Sequence, residues 1–220
     1  MLRTDANDVR ATYDAWSATY DETPNPLIDV EEIVVRSLLR RMKFHRVLDA
    51  ATGTGRYAIY LAGQGKQVAA IDGNERMLAI AREKARARQL PIEFRQENLS
   101  NLSFENASFD LVICALALCH VADLGPPCRE LVRVLRPSGR LIISDLHPEI
   151  QALMGPDHME LIQGEKRFFP GHHPHVEDYL LAVESAGAQV LAALDIPLET
   201  SRGVAPGVLV VWARKAGAAG

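Results

Sequence analysis

Between His45 and Leu146 short apolar runs alternate with helical stretches, and this alternation limits the fold more than any other feature of the chain. The runs are "HRVLDA" (His45–Ala50), "QVAAID" (Gln67–Asp72), "IEFRQE" (Ile92–Glu97), "FDLVICALAL" (Phe109–Leu118) and "RLIISDL" (Arg140–Leu146). Helical spacing fills the gaps over Arg56–Ala62, Asn74–Gln89 and from Pro126 and Pro127 to near "RPSG", prolines suiting a first turn and glycine an exit. Strands joined by helices run parallel, with right-handed crossovers and helices on both sheet faces. "FDLVIC" is apolar along its length, as a strand covered on both faces requires.

The pattern changes at the end. After a helix over Val176–Ala186, the β-like runs "AQVLAALDI" and "GVLVVWARK" are separated only by the Pro- and Gly-containing loop "PLETSRGVAP". No crossover helix fits there, so the two pair antiparallel. The expected fold is therefore α/β: a seven-stranded sheet of five parallel strands plus a C-terminal antiparallel hairpin, with helices on both faces.

Upstream, "DANDVRATYDAWSATYD" (Asp5–Asp21) puts Val9, Tyr13, Trp16 and Tyr20 on one helical stripe, "TPNP" breaks it, and a second helix runs from Asp29 to about Met42. The 146–175 stretch has weak periodicity and many His, Pro and Gly, the mark of a substrate loop or lid. We read 1–220 as one domain: a helical lid (1–42), a ligand-binding core (43–145), a substrate-side loop (146–175), and a terminal helix and hairpin (176–220). A chain of 220 residues with 48% apolar and 24% charged residues suffices for one full core.

Net charge is -4, and the densest basic run, "AREKARARQ", alternates its charges as a solvated helix face does, which argues against a nucleic-acid partner. Three cysteines without CxxC spacing read as thiols in a reducing cytosol. The charged start "MLRTDANDVR" does not resemble a signal peptide, and no run approaches the roughly 18 apolar residues of a membrane span. The expectation is a cytoplasmic protein with no membrane partner; oligomeric state is not legible.

The first strand ends in "GTGRYA" (Gly53–Ala58), a fit to G-x-G-x-x-G/A. Gly53 permits backbone angles that a side chain forbids, Gly55 would let a ligand approach the main chain, and the helix beginning at Arg56 points unpaired N–H groups at an anionic group. Asp72 closes the second strand 17 residues after Gly55, where an acid can accept both ribose hydroxyls. Asp49, four residues before the first glycine, would repel a pyrophosphate and suit an ammonium or sulfonium. A nicotinamide-type oxidoreductase lacks support for a second reason: there is no Tyr-x-x-x-Lys.

In order along the chain, "VLDAATGTG", "AAIDGNERMLAIAREKA", "RQENLSNLSFENASFDLVICALALCHV" and "RELVRVLRPSGRLIISDLHP" resemble the motifs of class I S-adenosylmethionine-dependent methyltransferases, in the small-molecule branch related to ubiquinone and menaquinone biosynthesis. That resemblance implies a Rossmann-like fold and a methyltransferase that uses S-adenosyl-L-methionine on a small-molecule acceptor. It implies Asp49, Gly53 and Gly55 along the methionine part of the cofactor, with Ala51 and Thr52 in the turn. Asp72 would hold the ribose, Gly73 and Met77 would pack by the adenine, Asn98 and Leu99 would meet its ring, and Ala115 and Leu116 would lie beside the cofactor. Two positions depart from the pattern: Ala51 where glycine is common, and Asn98 where aspartate is common. Other class readings are a binding protein without catalysis and, with least support, the oxidoreductase.

His120 in "ALCHV" and His147 in "SDLHP" follow apolar strands and are the candidate proton acceptors, with Asp145 sharing the strand of His147. Tyr13 and Tyr20 are the lid residues expected at the ligand. "GHHPH" (171–175) reads as a loop or helix N-terminus and not as a metal site, since adjacent histidines point apart and no fixed carboxylate or cysteine accompanies them.

Overall fold

Successive residues of β4 (Phe109–Ala115) enter opposite cores: Val112 and Cys114 join one apolar cluster, Leu111 and Ile113 the other. A strand buried on both faces belongs at the centre of a sheet covered by helices. The computed structural model describes residues 6–150, 159–162, 165–168, 172, 174–200 and 203–217. Its main sheet has the order β3-β2-β1-β4-β5-β9-β8. The strands β1 (Arg46–Ala50), β2 (Gln67–Asp72), β3 (Ile92–Gln96), β4 and β5 (Leu135–Leu146) pair parallel, so their carboxyl ends share one edge. The strands β8 (Ala188–Thr200) and β9 (Gly203–Lys215) form the antiparallel hairpin, with β9 against β5.

The helices divide between the faces. α2 (Pro26–Arg40) and α3 (Arg56–Ala62) cover one with Val35, Leu39, Tyr57 and Leu61; α5 (Gly125–Arg133) and α6 (Val176–Ser185) cover the other with Leu131, Tyr179 and Val183. α4 (Glu75–Ala87) contacts β2 and β3 and buries Met77, Leu78, Ala81 and Ala85.

Several boundaries differ from the sequence expectation. α1 (Ala6–Trp16) ends earlier than expected and tightens into a 3-10 turn over Ser17–Glu22. α2 begins three residues before Asp29, because the Asn25 side chain accepts the Leu27 N–H at 3.1 Å and Pro26 takes the first turn. α5 stops at Arg133; "RPSG" lies inside β5, beside a register shift between Phe109 and Leu111, and Ser138 takes a φ of 64°. The supposed loop "PLETSRGVAP" supplies strand residues up to Thr200 and from Gly203. Its prolines pair with each other, Pro197 opposite Pro206, at an irregularity where a missing N–H is tolerated. Gly207 lies in the same hairpin, and a Cβ there would sit 2.5 Å from that of Leu198. Within 146–175, Met159–Ile162 (β6) and Glu165–Phe168 (β7) pair antiparallel, a regular element that the weak sequence pattern did not announce. Among the described residues, no helix is long and apolar enough to cross a membrane, and all three cysteines are buried and unpaired.

Candidate active site

Along the carboxyl-end edge of the sheet lies a cavity of about 910 Å³, at the upper end of the roughly 300–1,000 Å³ of small-molecule sites. Asp49, Ala51, Thr52, Gly53, Asp72, Gly73, Met77, Asn98, Leu99, Ala115 and Leu116 line it. Sequence reasoning had placed each of them on the ligand.

Two aspartates organise its floor. Asp49 is 2% exposed, and its Oδ2 accepts from the Thr52 hydroxyl at 2.6 Å and the Ala58 N–H at 2.8 Å. It thus ties the glycine turn to the first turn of α3. Burial raises its carboxyl to about 6, against those two hydrogen bonds, which favour the anion. Asp72 accepts from the Gly53 N–H through Oδ2 and the Asn74 N–H through Oδ1, both at 2.8 Å, so one carboxylate clamps two loops. Burial raises it as well, over the opposing backbone bonds. Asn74 caps α4 through Arg76 and Met77, which seats the buried Met77 under the cavity. The Asn98 Oδ1 accepts the Ser100 N–H at 2.8 Å, fixing the amide at the mouth.

The turn departs from expectation at Gly55. That residue has a φ of 89°, but a Cβ there would meet Ala81 of α4 at 3.1 Å and Ile59 at 3.2 Å, and Gly55 does not line the cavity. Its smallness serves the packing of α3 on α4. Ala51 holds a φ of 59° without being glycine.

α1 and its 3-10 turn roof the cavity. Arg10 donates to the Gly73 carbonyl at 3.1 Å, and Asp21 accepts from the Thr54 hydroxyl at 2.7 Å and the Lys84 ammonium at 2.8 Å. Tyr13 stacks on Trp16 at 6.0 Å, and Trp16 meets Tyr20 edge-on at 4.8 Å, so the stripe packs internally while Tyr13 and Tyr20 face the cavity. The Tyr13 Oη lies 2.9 Å from the His120 Nε2. Burial pushes the Tyr13 phenol well above its ordinary range, so the hydroxyl stays neutral.

Only one of the two candidate histidines lines the cavity. His120 ends the short 3-10 turn Leu118–His120. That turn is held from beneath by Asp145, whose Oδ2 accepts the Cys119 N–H at 2.7 Å and the Tyr179 hydroxyl at 3.0 Å. His147 is 5% exposed and does not line it: the Nδ1 accepts the Glu149 N–H at 3.2 Å and the Nε2 lies 3.3 Å from Asp195 Oδ1. The Nδ1 thus fixes the local turn after β5, and the Nε2 reaches Asp195 of β8. Asp145 is likewise wholly buried behind the wall, raised to about 6 by burial against its hydrogen bonds, and supports the His120 turn instead of facing a ligand.

Sequence reasoning missed Arg10, Thr54, Arg56, Tyr57, Asn74 and His172 as lining residues. It also missed Glu31, which is fully buried behind Arg56. A signal for Glu31 existed: it falls in the same i, i+4, i+8 stripe as Val35 and Leu39, a charge in apolar register. Of "GHHPH", His172 lines the cavity and its N–H donates to the Cys119 carbonyl at 2.7 Å. His175 donates its N–H to Asp178 at the start of α6, while Gly171 and His173 lie outside the described residues.

Comparison with known proteins sets this geometry beside methyltransferases. Residues 48–143 match the model of a methyltransferase domain. The chain is 41% identical over 112 residues to a demethylmenaquinone methyltransferase of Deinococcus radiodurans, covering 50% of this chain and 46% of that protein. It is 28% identical over 192 residues to Methyltransferase GfsG of Streptomyces halstedii, covering 84% and 68% respectively. The chain spans about half the length of the first of these curated relatives. Among solved structures, an S-adenosylmethionine-dependent methyltransferase of Methanosarcina mazei superposes with a TM-score of 0.70 over 82% of this chain and 97% of that one, at 23% identity, a likeness of fold. Residues 48–143 thus resemble a methyltransferase domain, and the seven-stranded sheet has the fold of S-adenosylmethionine-dependent methyltransferases of known structure.

Proposed function

We propose that the protein binds S-adenosyl-L-methionine across the ends of β1, β2 and β4 and transfers its methyl group, in line, to a small-molecule acceptor. One observation carries the reading. Asp72 at the end of β2 draws the glycine turn and the β2–α4 loop together and borders the cavity, where a carboxylate serves a ribose diol. The residues present fit the rest of such a ligand: Asp49 offers a negative charge near the turn, and Met77 and Leu99 offer apolar contact beyond Asp72.

When bound, S-adenosylmethionine supplies a methyl group on a cationic sulfur. The chain's own work is to orient and to exclude water. α1 and its 3-10 turn close over the cavity through Arg10, Tyr13 and Asp21, and placement alone can supply effective molarities on the order of 10⁵–10⁸ M. Where the acceptor must lose a proton, His120 is the group placed to take it through the Tyr13 hydroxyl, which lies 2.9 Å from its Nε2 and would give its own proton to the ring as it receives the acceptor's. The acceptor end is formed by Tyr13, His120, Val121, Pro127 and His172, an aromatic and apolar wall suited to a partly apolar metabolite.

A thermal-shift titration tests the reading. S-adenosylhomocysteine at about 100 Kd should add about 2.7 kcal/mol to the folded state, NAD should add nothing, and Asp72→Ala should abolish the effect. Stabilisation by NAD and not by S-adenosylhomocysteine would sink it. With an acceptor found, His120→Gln should lower kcat and remove the acid limb of its pH profile; an unchanged profile would remove His120 from the chemistry. Tight binding with no methylation across a broad metabolite panel would favour a binding protein without catalysis.

A further inference from the structure

Parallel strands begin at one edge of a sheet, and the helices between them end there. That edge, opposite the cavity, gathers cations from segments far apart in the chain. The run "RRMKFHR" (Arg40–Arg46) joins the last turn of α2 to β1. Lys66 follows α3, Arg86 lies in the last turn of α4 and Arg88 caps it, and Arg140 of β5 stands opposite Arg214 of β9. All of these but Arg46 share one face. α2 and α3 cover it, α4 packs beside α3, and Arg140 and Arg214 fall two residues from Ile142 and Trp212, which enter the same core. From the β3 side to β9 the stripe crosses five strand spacings, roughly 24 Å.

The stripe is short of counter-charges. Arg40, Arg41, Lys43, Arg86 and Arg88 are exposed, and among the described residues none of them forms an ion pair. Lys66 donates to the Phe44 carbonyl at 3.1 Å, Arg214 to the Gln189 amide oxygen at 2.9 Å, and Arg140 keeps a buried Nη1 without an acceptor. The acids of this edge are engaged or stand away from the stripe. Asp110 takes Arg136 and the N–H groups of His45 and Arg46, Glu130 takes Arg133, Glu93 takes Arg95, and Glu32 takes Arg36. Glu105, before β4, and Glu184, at the end of α6, belong to the opposite side of the sheet; Glu83 of α4 remains beside the stripe. Helix dipoles favour a cation in a last turn, which accounts for Arg40 and Arg86. They do not account for Lys43 beyond α2, or for Arg140 and Arg214, like charges opposed across a ladder at a cost.

The ends of three helices and of two strands lie at one height in a layered fold, so their cations meet a plane together. Met42 and Phe44, half-buried, and Ala87, exposed, lie among them. Cations with apolar neighbours suit a bilayer interface. A nucleic-acid strand calls for open aromatic faces; here Phe44 lies under the Lys66 ammonium at 4.8 Å, and Trp212 packs against the core. The acids of the cavity, Asp21, Glu22, Asp29, Asp49, Asp72 and Glu97, are at the other end of the strands. Salt screens them over a Debye length of about 8–10 Å, so the net charge of -4 does not cancel attraction at this edge.

We propose that the basic edge built by the ends of α2, α3 and α4 with β5 and β9 docks on an anionic phospholipid surface, leaving the cavity open to solvent on the far side. The expectation of no membrane partner concerned spanning segments, and a peripheral contact needs none. The contact is independent of the ligand held in the cavity.

Co-sedimentation with vesicles of phosphatidylcholine and phosphatidylglycerol, at about 2:1 and about 0.05 M salt, tests the contact. The wild-type protein should bind these vesicles, leave them at about 0.5 M salt, and ignore pure phosphatidylcholine. Each cation near such a surface is worth roughly fivefold in binding. Arg40→Gln/Arg41→Gln/Lys43→Gln should therefore weaken it about 100-fold and Arg86→Gln/Arg88→Gln about 25-fold, at unchanged melting temperatures. Arg40→Lys/Arg41→Lys should bind as the wild type does, the mark of charge and not of fold. Arg129→Gln, which removes an exposed cation of α5 on the other face, should change binding by less than about twofold. Wild-type protein that stays in solution with anionic vesicles at low salt, or that sediments equally with neutral ones, would overturn the proposal. So would glutamine variants of the stripe that bind like the wild type. Tighter binding to a short duplex RNA than to the vesicles would assign the stripe to a nucleic acid and overturn it as well.

Discussion

At the scale of single residues, the site holds a strained position that its function does not explain. Ala51 sits at a φ of 59°, a left-handed conformation that costs a residue with a Cβ roughly 1–2 kcal/mol, and no hydrogen bond of its side chain can offset it. Ala51→Gly relieves the strain at a smaller cost in unfolded-state entropy, so the variant should be more stable by about 0.5–1 kcal/mol in urea denaturation. A less stable variant would show that the turn is not strained. The sequence flagged this position only as an alanine where a glycine is common; the backbone angle makes it consequential. Residue-scale legibility was uneven. Asp49 and Asp72 could be found because they close strands beside a glycine turn, a local relation. His120 and His147 looked alike because each follows a strand end, and only the hairpin, which carries β8 past β9 and brings Asp195 to His147, told them apart.

At the scale of elements, the lid is the piece whose attachment can be weakened without touching the floor. The 3-10 turn after α1 is held by Asp21, which joins Thr54 of the glycine turn and Lys84 of α4. Asp21→Ala removes both anchors. It should raise the dissociation rate of S-adenosylhomocysteine several-fold, at about 1 kcal/mol or less per partly exposed bond, and shift the melting temperature little. Stopped-flow dissociation measures it, and an unchanged rate would mean that the turn does not gate the cavity. The tyrosine–tryptophan stripe of α1 was readable from its 4, 3, 4 spacing, but the change to 3-10 geometry was not, since no proline or glycine marks it. The hairpin was readable as two antiparallel runs, yet its length was not. Prolines at 197 and 206 signal a loop until the opposite strand shows them sharing one irregularity.

For the whole molecule, buried carboxyls set how stability follows pH. Asp49 and Asp145 rise from 3.8 to about 6, and Asp72 rises as well, all by burial. A raised carboxyl binds its proton more tightly folded than unfolded, so its stabilisation is complete below the ordinary value and is lost as pH climbs through about 6. Burial, the largest single influence, raises Asp110, but the backbone N–H groups of Arg46 and His45 together with Arg136 outweigh it and leave the carboxyl lowered. Glu130 is lowered chiefly by its hydrogen bonds from Arg133. Their contribution is present above the ordinary values and is lost as pH falls through the lowered ones. The ligand-free protein should therefore be most stable near about pH 5 and weaken towards pH 8, and Asp145→Asn should flatten the alkaline decline. Melting temperatures across that range test it; a maximum above pH 7 would contradict it. The sequence by itself determined the parallel core, the hairpin, the glycine turn and the two acids that flank it, because strand period, crossover length and turn chemistry are local properties of neighbouring residues. Only the tertiary structure decided that Gly55 packs α3 on α4, that Asp145 and His147 stand behind the wall, and that Glu31 and Arg56 meet across 25 residues. Those contacts join elements distant in sequence, and burial, which decides whether a charge supports the fold or faces a ligand, exists only once the elements have packed.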